Sequence, residues 1–374
     1  MVYLDHNAST PVDERVVEAM LPYLSRLHGN PSSLHRFGRL ARDALETARE
    51  QVAALAGASP GQVIFTSSGT EANNLALLGM APALRGKTLA VGATEHPSVL
   101  EAAAWLHRHG HAVRLIPVDA LGQVDAGLPG RLDDTIGLVS LMRANNETGV
   151  IHDPSPLGAL RERGVWLHSD ATQAAGRLPL DFASSGLHLM TLSAHKIYGP
   201  KGAGALIADR SLPLEPMLHG GGQERGLRAG TENVAALVGF GKAAELAYGE
   251  LEMRTRHMLA LRERFEAGLN ELPGLCVFAA AAPRLANTVQ FGMAGMDGEA
   301  LVMALDRQGF ALSSGSACAS GAGQPSPVLL AMGVAPELAR TAVRVSFGAG
   351  NTEQDVDALL ATLCKLRPGV IHFG

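Results

Sequence analysis

The chain has 374 residues, 47% of them hydrophobic and 18% charged, with a formal net charge of -5. That length allows two domains with a substantial interior, and the composition is that of a globular protein. No basic block is present, which argues against nucleic acid as the main partner. The three cysteines, Cys276, Cys318 and Cys364, are far apart and form no CxxC pair, which argues against a disulfide framework or a sulfur-ligated metal site.

The first residues, MVYLDHNASTP, lack the basic and apolar regions of a signal peptide. From about Ser59 to Asp209, short β-rich runs alternate with helical stretches. QVIFTS reads as a strand and TEANNLALLGMA as a helix. TLAVGA is a strand, PSVLEAAAWLHRHG a helix, and HAVRLIPVD and TIGLVSLMRA are strands. SPLGALRERG is a helix, and VWLHSD, HLMTLSA and GALIAD are three further strands. This alternation predicts an α/β fold with a mostly parallel sheet and helices on both faces.

A helical region rich in Ala, Leu, Glu and Arg runs from about Val234 to Leu272. Its most apolar run, VAALVGFGKAAELAYGEL, carries Lys242 and Glu245, so no membrane span is expected and the protein reads as soluble and cytoplasmic. NTVQFGM, the helix GEALVMALDRQG, RVSFG and the helix EQDVDALLATLCKL then form a smaller α/β unit. Cys276 in GLCVFAA and Cys364 in LLATLCKL read as small buried hydrophobes. Cys318 differs. It stands in SSGSACASGAG among small residues, and no charged side chain lies between Arg307 and Glu337.

Ligands gather at the carboxyl ends of parallel strands. The polar clusters SSGTE, ATEH, NNETG, DATQ and SAHK all follow strands. Only five lysines occur, and Lys196 in SAHKIYGPKG comes just past an apolar strand. It is either a solvated loop residue or an amine that forms a Schiff base with pyridoxal phosphate. Asp170, which ends VWLHSD, is either a turn residue or the carboxylate that pairs with a pyridine nitrogen. Gln173 is then spaced to reach the cofactor's phenolic oxygen. TSSGTEANN is either a plain N-cap or a phosphate cradle with the hydroxyl of Thr70. It lacks the lysine of GxxxxGK[ST] and the spacing of GxGxxG. His96, before Pro97, is placed to stack on a flat cofactor and transfer protons. Four such groups, each at a strand end, point together to a pyridoxal-phosphate site.

The chain resembles the cysteine desulfurases of iron–sulfur cluster assembly, within the class V aminotransferase group. The matching segments include YLDHNASTPVD, HGNPSSLHRFG, TSSGTEANN, TEHPSVL, NNETGV, DATQAAG, SAHKIYGPKG, HGGGQERGLRAGTENV, SSGSACAS and VRVSFG, in the family's order over nearly the whole chain. The resemblance implies fold type I of the pyridoxal-phosphate enzymes. A large domain (14–250) would hold a mostly parallel seven-stranded sheet. A small domain (1–13 and 251–374) would carry a mobile cysteine loop at about 313–327.

The resemblance also implies roles. Lys196 binds pyridoxal 5'-phosphate covalently, Asp170 pairs with its ring nitrogen, Gln173 with its ring oxygen, and His96 stacks on it. Gly69, Thr70, Ser193 and His195 bind its phosphate. Thr231 reaches the phosphate of a neighbouring subunit, which implies a homodimer. Asn146 and Arg344 hold the carboxylate of L-cysteine, and an arginine fork suits that task. Cys318 takes the substrate sulfur as a persulfide, L-alanine leaves, and an iron–sulfur scaffold or another acceptor receives the sulfur. A selenocysteine lyase, a class V aminotransferase and a non-enzymatic sulfur or cluster carrier are the rival readings. An aminotransferase has no need of Cys318, and the wide cysteine spacing speaks against a carrier.

Overall fold

The computed structural model describes residues 1–314 and 324–366. Cys318 and most of the expected cysteine loop lie outside the described residues. In chain order the elements begin with β1 (Val2–Tyr3), α1 (Glu14–Ser25), α2 (Arg36–Ala56), β2 (Val63–Thr66), α3 (Gly69–Met80), β3 (Thr88–Gly92) and α4 (Pro97–Arg108). There follow β4 (Ala112–Ile116), α5 (Leu128–Arg131), β5 (Ile136–Ser140), α6 (Gly158–Glu162), β6 (Trp166–Asp170), β7 (Leu189–Ser193) and β8 (Gly204–Ala208). The remainder comprises α7 (Val234–Gly249), α8 (Leu251–Asn270), β9 (Leu275–Val277), β10 (Thr288–Met293), α9 (Gly298–Arg307), β11 (Phe310–Ala311), β12 (Ser313–Ser314), α10 (Pro327–Ala331), α11 (Pro336–Ala339), β13 (Ala342–Ser346) and α12 (Glu353–Leu366).

The seven strands expected between Ser59 and Asp209 form one sheet, ordered β2-β8-β7-β6-β5-β3-β4. All run parallel except β8, which is antiparallel to both β2 and β7. Strands β2, β5, β7 and β8 are buried along their whole length, as a sheet covered on both faces requires. Alternate residues enter two separate cores. Val63, Phe65, Ala205 and Ile207 face α2 and α7, whose Val52 and Phe240 share their cluster. Ile64, Leu206 and Leu89 face α3 and α4, which supply Leu75 and Val99. The carboxyl ends of β2, β3, β5, β6 and β7 therefore share one edge.

The second sheet is antiparallel, ordered β12-β13-β10-β9, and packs its Val289, Phe291, Val343 and Val345 against Phe265 of α8, Leu301 of α9 and Leu359 of α12. The first residues join this unit. Strand β1 pairs parallel with β11, Asp5 bridges to Ser346, and Leu4 enters the same apolar core. The helical region read from Val234 to Leu272 is two helices. The break falls at Gly249–Glu250, where Glu250 leaves helical geometry at φ -107°, ψ 9°. Cys276 is exposed, contrary to the sequence reading, because β9 is a three-residue strand at the sheet edge; Cys364 is half-buried.

One buried ion pair anchors the segment around Thr231. Arg49 of α2 donates through Nη1 and Nη2 to both oxygens of Glu224, each at 2.8 Å, and Glu224 also accepts from the backbone N–H of Phe65 on β2 at 2.8 Å. Glu224 and Arg225 take φ of 45° and 60°, a left-handed pair that only firm anchoring sustains in non-glycine residues. Replacing Arg49 by Met strands the Glu224 carboxylate, and a loss of about 3–5 kcal/mol in unfolding free energy is expected from urea titration.

Candidate active site

A cavity of about 350 Å³ opens at the shared carboxyl edge of the large sheet. Its floor is Asp170, the last residue of β6, only 5% exposed. A buried carboxylate needs donors. Oδ2 accepts from Asn73 Nδ2 of α3 at 2.7 Å, and Oδ1 from the backbone N–H of Thr172 at 2.9 Å. One strand over, β7 ends at Ser193, and a short turn brings Lys196 into the same cavity. Its Nζ donates to the carbonyls of Asn7 at 2.5 Å and Ala8 at 2.7 Å. Those carbonyls belong to the chain's first residues, which cross between the two sheets.

The opposite end is built around the start of α3. Ser68 caps the helix, its Oγ accepting from the N–H of Glu71 at 3.1 Å, so Gly69 and Thr70 open the first turn at the cavity. A Cβ on Gly69 would come within 3.2 Å of Thr172 Oγ1 and 3.3 Å of Ser193 Cβ. Among the described residues the buried Ser193 Oγ has no hydrogen-bond partner. His195 borders the same end, and burial, reinforced by the charges of Lys196 and Lys201, pushes its pKa down to about 4. It is a neutral ring at neutral pH. A helix start, a partnerless hydroxyl and a backbone without a side chain make a seat for an anion.

His96 is the N-cap of α4, with its Nδ1 beside Ser98. Burial lowers its pKa; Asp170 opposes the shift and Lys196 adds to it. Gln173 donates through Nε2 to the carbonyl of Asn7 at 2.9 Å, and its Oε1 accepts from Arg177 Nη1 at 3.0 Å. Arg177 is buried, and its pKa is pulled down to about 10 by that burial. Arg344 enters from β13 of the second sheet. Its Nη1 donates to the carbonyl of Asn146 at 2.9 Å and its Nη2 to Asp5 at 2.7 Å, while Nε has no partner among the described residues. The cavity thus has a cationic fork at one end and an anion seat at the other.

Of the residues picked from the sequence, Gly69, Thr70, His96, Asn146, Asp170, Gln173, Ser193, His195, Lys196 and Arg344 line this one cavity. Thr231 does not; it is exposed, on the segment held by Glu224. Cys318 lies outside the described residues, but both flanks of its stretch are placed. Ser313 pairs with Arg344 across β12 and β13. Ser326 donates through Oγ to buried Glu147, the neighbour of Asn146, at 2.5 Å. The sequence reading missed Asn73 and Ser98, the Asn7 and Ala8 carbonyls, Arg177 and Asp5. DHNAST was the available signal for the first residues, whereas Asn73 sits inside a helical run with nothing to mark it.

Residues 2–359 match the family described as Aminotransferase class-V. The chain belongs to the class-V aminotransferase family. It is 43% identical over 373 residues to "Cysteine desulfurase IscS" of Methanosarcina thermophila, an alignment that covers 98% of this chain and 91% of that protein. Within the family the chain falls among the cysteine desulfurases. A solved "NIFS-LIKE PROTEIN" superposes with a TM-score of 0.91 at 36% identity, covering 97% of this chain and 98% of that one. The structure titled "SspA in complex with cysteine" superposes with a TM-score of 0.82 at 31% identity, covering 94% and 100%.

This family uses pyridoxal 5'-phosphate, and the residues present fit it. The partnerless Ser193 Oγ, the bare Gly69 and the start of α3 suit its phosphate, Asp170 its ring nitrogen, and Lys196 its aldehyde carbon. The seat has a tight support from behind. A Cβ on Gly204 of β8 would lie 2.4 Å from the carbonyl carbon of Ser68 and 2.9 Å from Gly69 N. Gly204→Ala is therefore expected to push the Ser68–Gly69 backbone forward, at a cost on the order of 1–3 kcal/mol, and to weaken pyridoxal phosphate about tenfold or more in an absorbance titration.

Proposed function

We infer that this chain is a cysteine desulfurase that takes sulfur from L-cysteine, releases L-alanine and carries the sulfur on Cys318. The observation that carries this reading is one cavity that holds Lys196, Asp170 and Arg344, with one flank of the Cys318 stretch paired to Arg344 and the other bonded to Glu147, the neighbour of Asn146. Bound pyridoxal 5'-phosphate supplies an electron sink for the pair left at the substrate α-carbon. Asp170 would lie against the ring nitrogen, and the donors Asn73 and Thr172 hold its carboxylate in place.

Lys196 is the group that accepts the α-proton at Nζ. Its two carbonyl contacts keep the amine near the cavity floor. Arg344 and Asn146 receive the substrate carboxylate, which fixes the α-carbon over Lys196. The Cys318 thiolate bonds to the substrate sulfur as the carbon–sulfur bond breaks. The electron pair of that bond returns to carbon, which takes a proton and leaves as L-alanine. A model thiol titrates near ~8.5, so Cys318 reacts once proximity and the cavity's charges favour its thiolate.

Several finer points belong to this proposal. Thr231, exposed in its own chain, completes the phosphate end of a second copy, so the working unit is a homodimer. Residues 1–13 and 251–374 act as the small domain and deliver Cys318. Among the described residues no helix is long and apolar enough to cross a membrane, which accords with a cytoplasmic enzyme. The acceptor is an iron–sulfur scaffold or another sulfur-receiving protein.

Brief exposure of the cofactor-loaded protein to cysteine, followed by mass spectrometry, should find one added sulfur on the Cys318 peptide. Cys318→Ser should abolish sulfide release from cysteine. An unmodified Cys318 in active, coloured protein would move the assignment to a lyase or an aminotransferase.

A further inference from the structure

The hydrogen bonds around His96 determine where its ring proton sits. The backbone N–H of Ser98 donates to His96 Nδ1 at 3.1 Å. A backbone amide nitrogen donates and cannot accept, so Nδ1 offers its lone pair. In a neutral imidazole the proton is then on Nε2. The Ser98 hydroxyl lies 2.8 Å from the same Nδ1. Nδ1 has no hydrogen to give, so Ser98 is the donor in this bond, and its Oγ in turn accepts from Asn73 Nδ2 at 2.8 Å. The second hydrogen of that amide goes to Asp170 Oδ2 at 2.7 Å. A carboxylate only accepts, so Asn73 must turn its nitrogen toward Asp170, and its buried Oδ1 has no partner among the described residues. Ser98 thus accepts from Asn73 and gives its own proton to His96 Nδ1. Every bond in the series has one allowed direction, from Asn73 outward to Asp170 on one side and through Ser98 to His96 on the other.

We propose that this network holds His96 neutral with its proton on Nε2, so that His96 serves the reaction as a hydrogen-bond donor to the substrate and not as its base, with Asn73 and Ser98 as the positioning residues. Nδ1 is occupied by two donors, and Nε2 already carries a hydrogen. The ring has no lone pair to present to the cavity. The positive end of α4, whose first turn donates to Nδ1, disfavours a second proton on the ring. Burial acts in the same direction, and the Lys196 charge adds to it against the pull of Asp170. Proton abstraction is thereby left to Lys196. A neutral N–H donor, in contrast, stabilises negative charge that develops on a bound substrate without needing to lose its own proton.

The proposal rests on the desulfurase reading for the identity of the substrate, but the ring state does not. The test is nitrogen NMR of the holoenzyme with labelled histidine at neutral pH, with the His96 signals identified by their loss in His96→Gln. The expected spectrum has a protonated Nε2 and an unprotonated, hydrogen-bonded Nδ1. Ser98→Ala should shift the Nδ1 resonance toward that of an acceptor with one donor fewer and lower kcat by about fivefold, the effect of one neutral hydrogen bond. Ser98→Thr, which keeps the hydroxyl, should restore both. A proton on Nδ1 or a doubly protonated ring in the unaltered enzyme would overturn the proposal, as would an Nδ1 resonance indifferent to Ser98→Ala. Missing cofactor absorbance in the same sample would count against the desulfurase reading, while the ring's proton would still be read from the spectrum.

Discussion

A carboxylate buried at the end of β6 sets the terms for the rest of the site. Asp170 is only 5% exposed at the floor of the cavity, so the chain brings donors to it. Asn73 from α3 and the backbone of Thr172 supply two. Asn73 also donates to Ser98, whose hydroxyl and backbone N–H both meet His96 Nδ1. Asp170 and His96 are thus parts of one hydrogen-bonded arrangement.

The two sheets divide the work. The large sheet contributes strand ends, which are rigid and close together, and these carry Asp170, Ser193 and the approach to Lys196. The second sheet contributes Arg344, whose fork spans Asp5 and the carbonyl of Asn146. The first residues of the chain lie between them. They give Lys196 two carbonyls and Arg344 a carboxylate partner, Asp5. That pairing limits the cost of keeping Arg344 buried.

Much of this was legible in the sequence. The seven strands show because strands buried on both faces are almost wholly apolar, and the turns between them are polar. Asp170, Lys196 and His96 show because each is an ionisable residue placed where an apolar run stops. The unread parts have physical reasons. Asn7 and Ala8 act through carbonyls, which every residue has, so no side chain reports the function. Asn73 is a buried polar residue in a helix, and only the tertiary neighbour Asp170 distinguishes it from a surface asparagine. Cys276 sits among apolar letters, but its strand is short and at an edge, so one face meets water. The break between α7 and α8 comes at a glycine that a helical pattern tolerates.

The seat of Lys196 also has a history in the making of the chain. Asn7, which supplies one of its carbonyls, is itself fixed by Asn287, Thr288 and Ser346, the last contact spanning 339 positions. All seven strands of the large sheet have left the ribosome once Ala208 has, whereas α7, which covers one of its faces, and the whole second sheet come later. Until β10 and β13 are made, Asn7 lacks these three partners, and its carbonyl meets the large sheet through Gln173 and Lys196. A chain halted before β13 would therefore hold Asp170, Ser193 and Lys196 without Arg344 and with Asn7 only partly fixed.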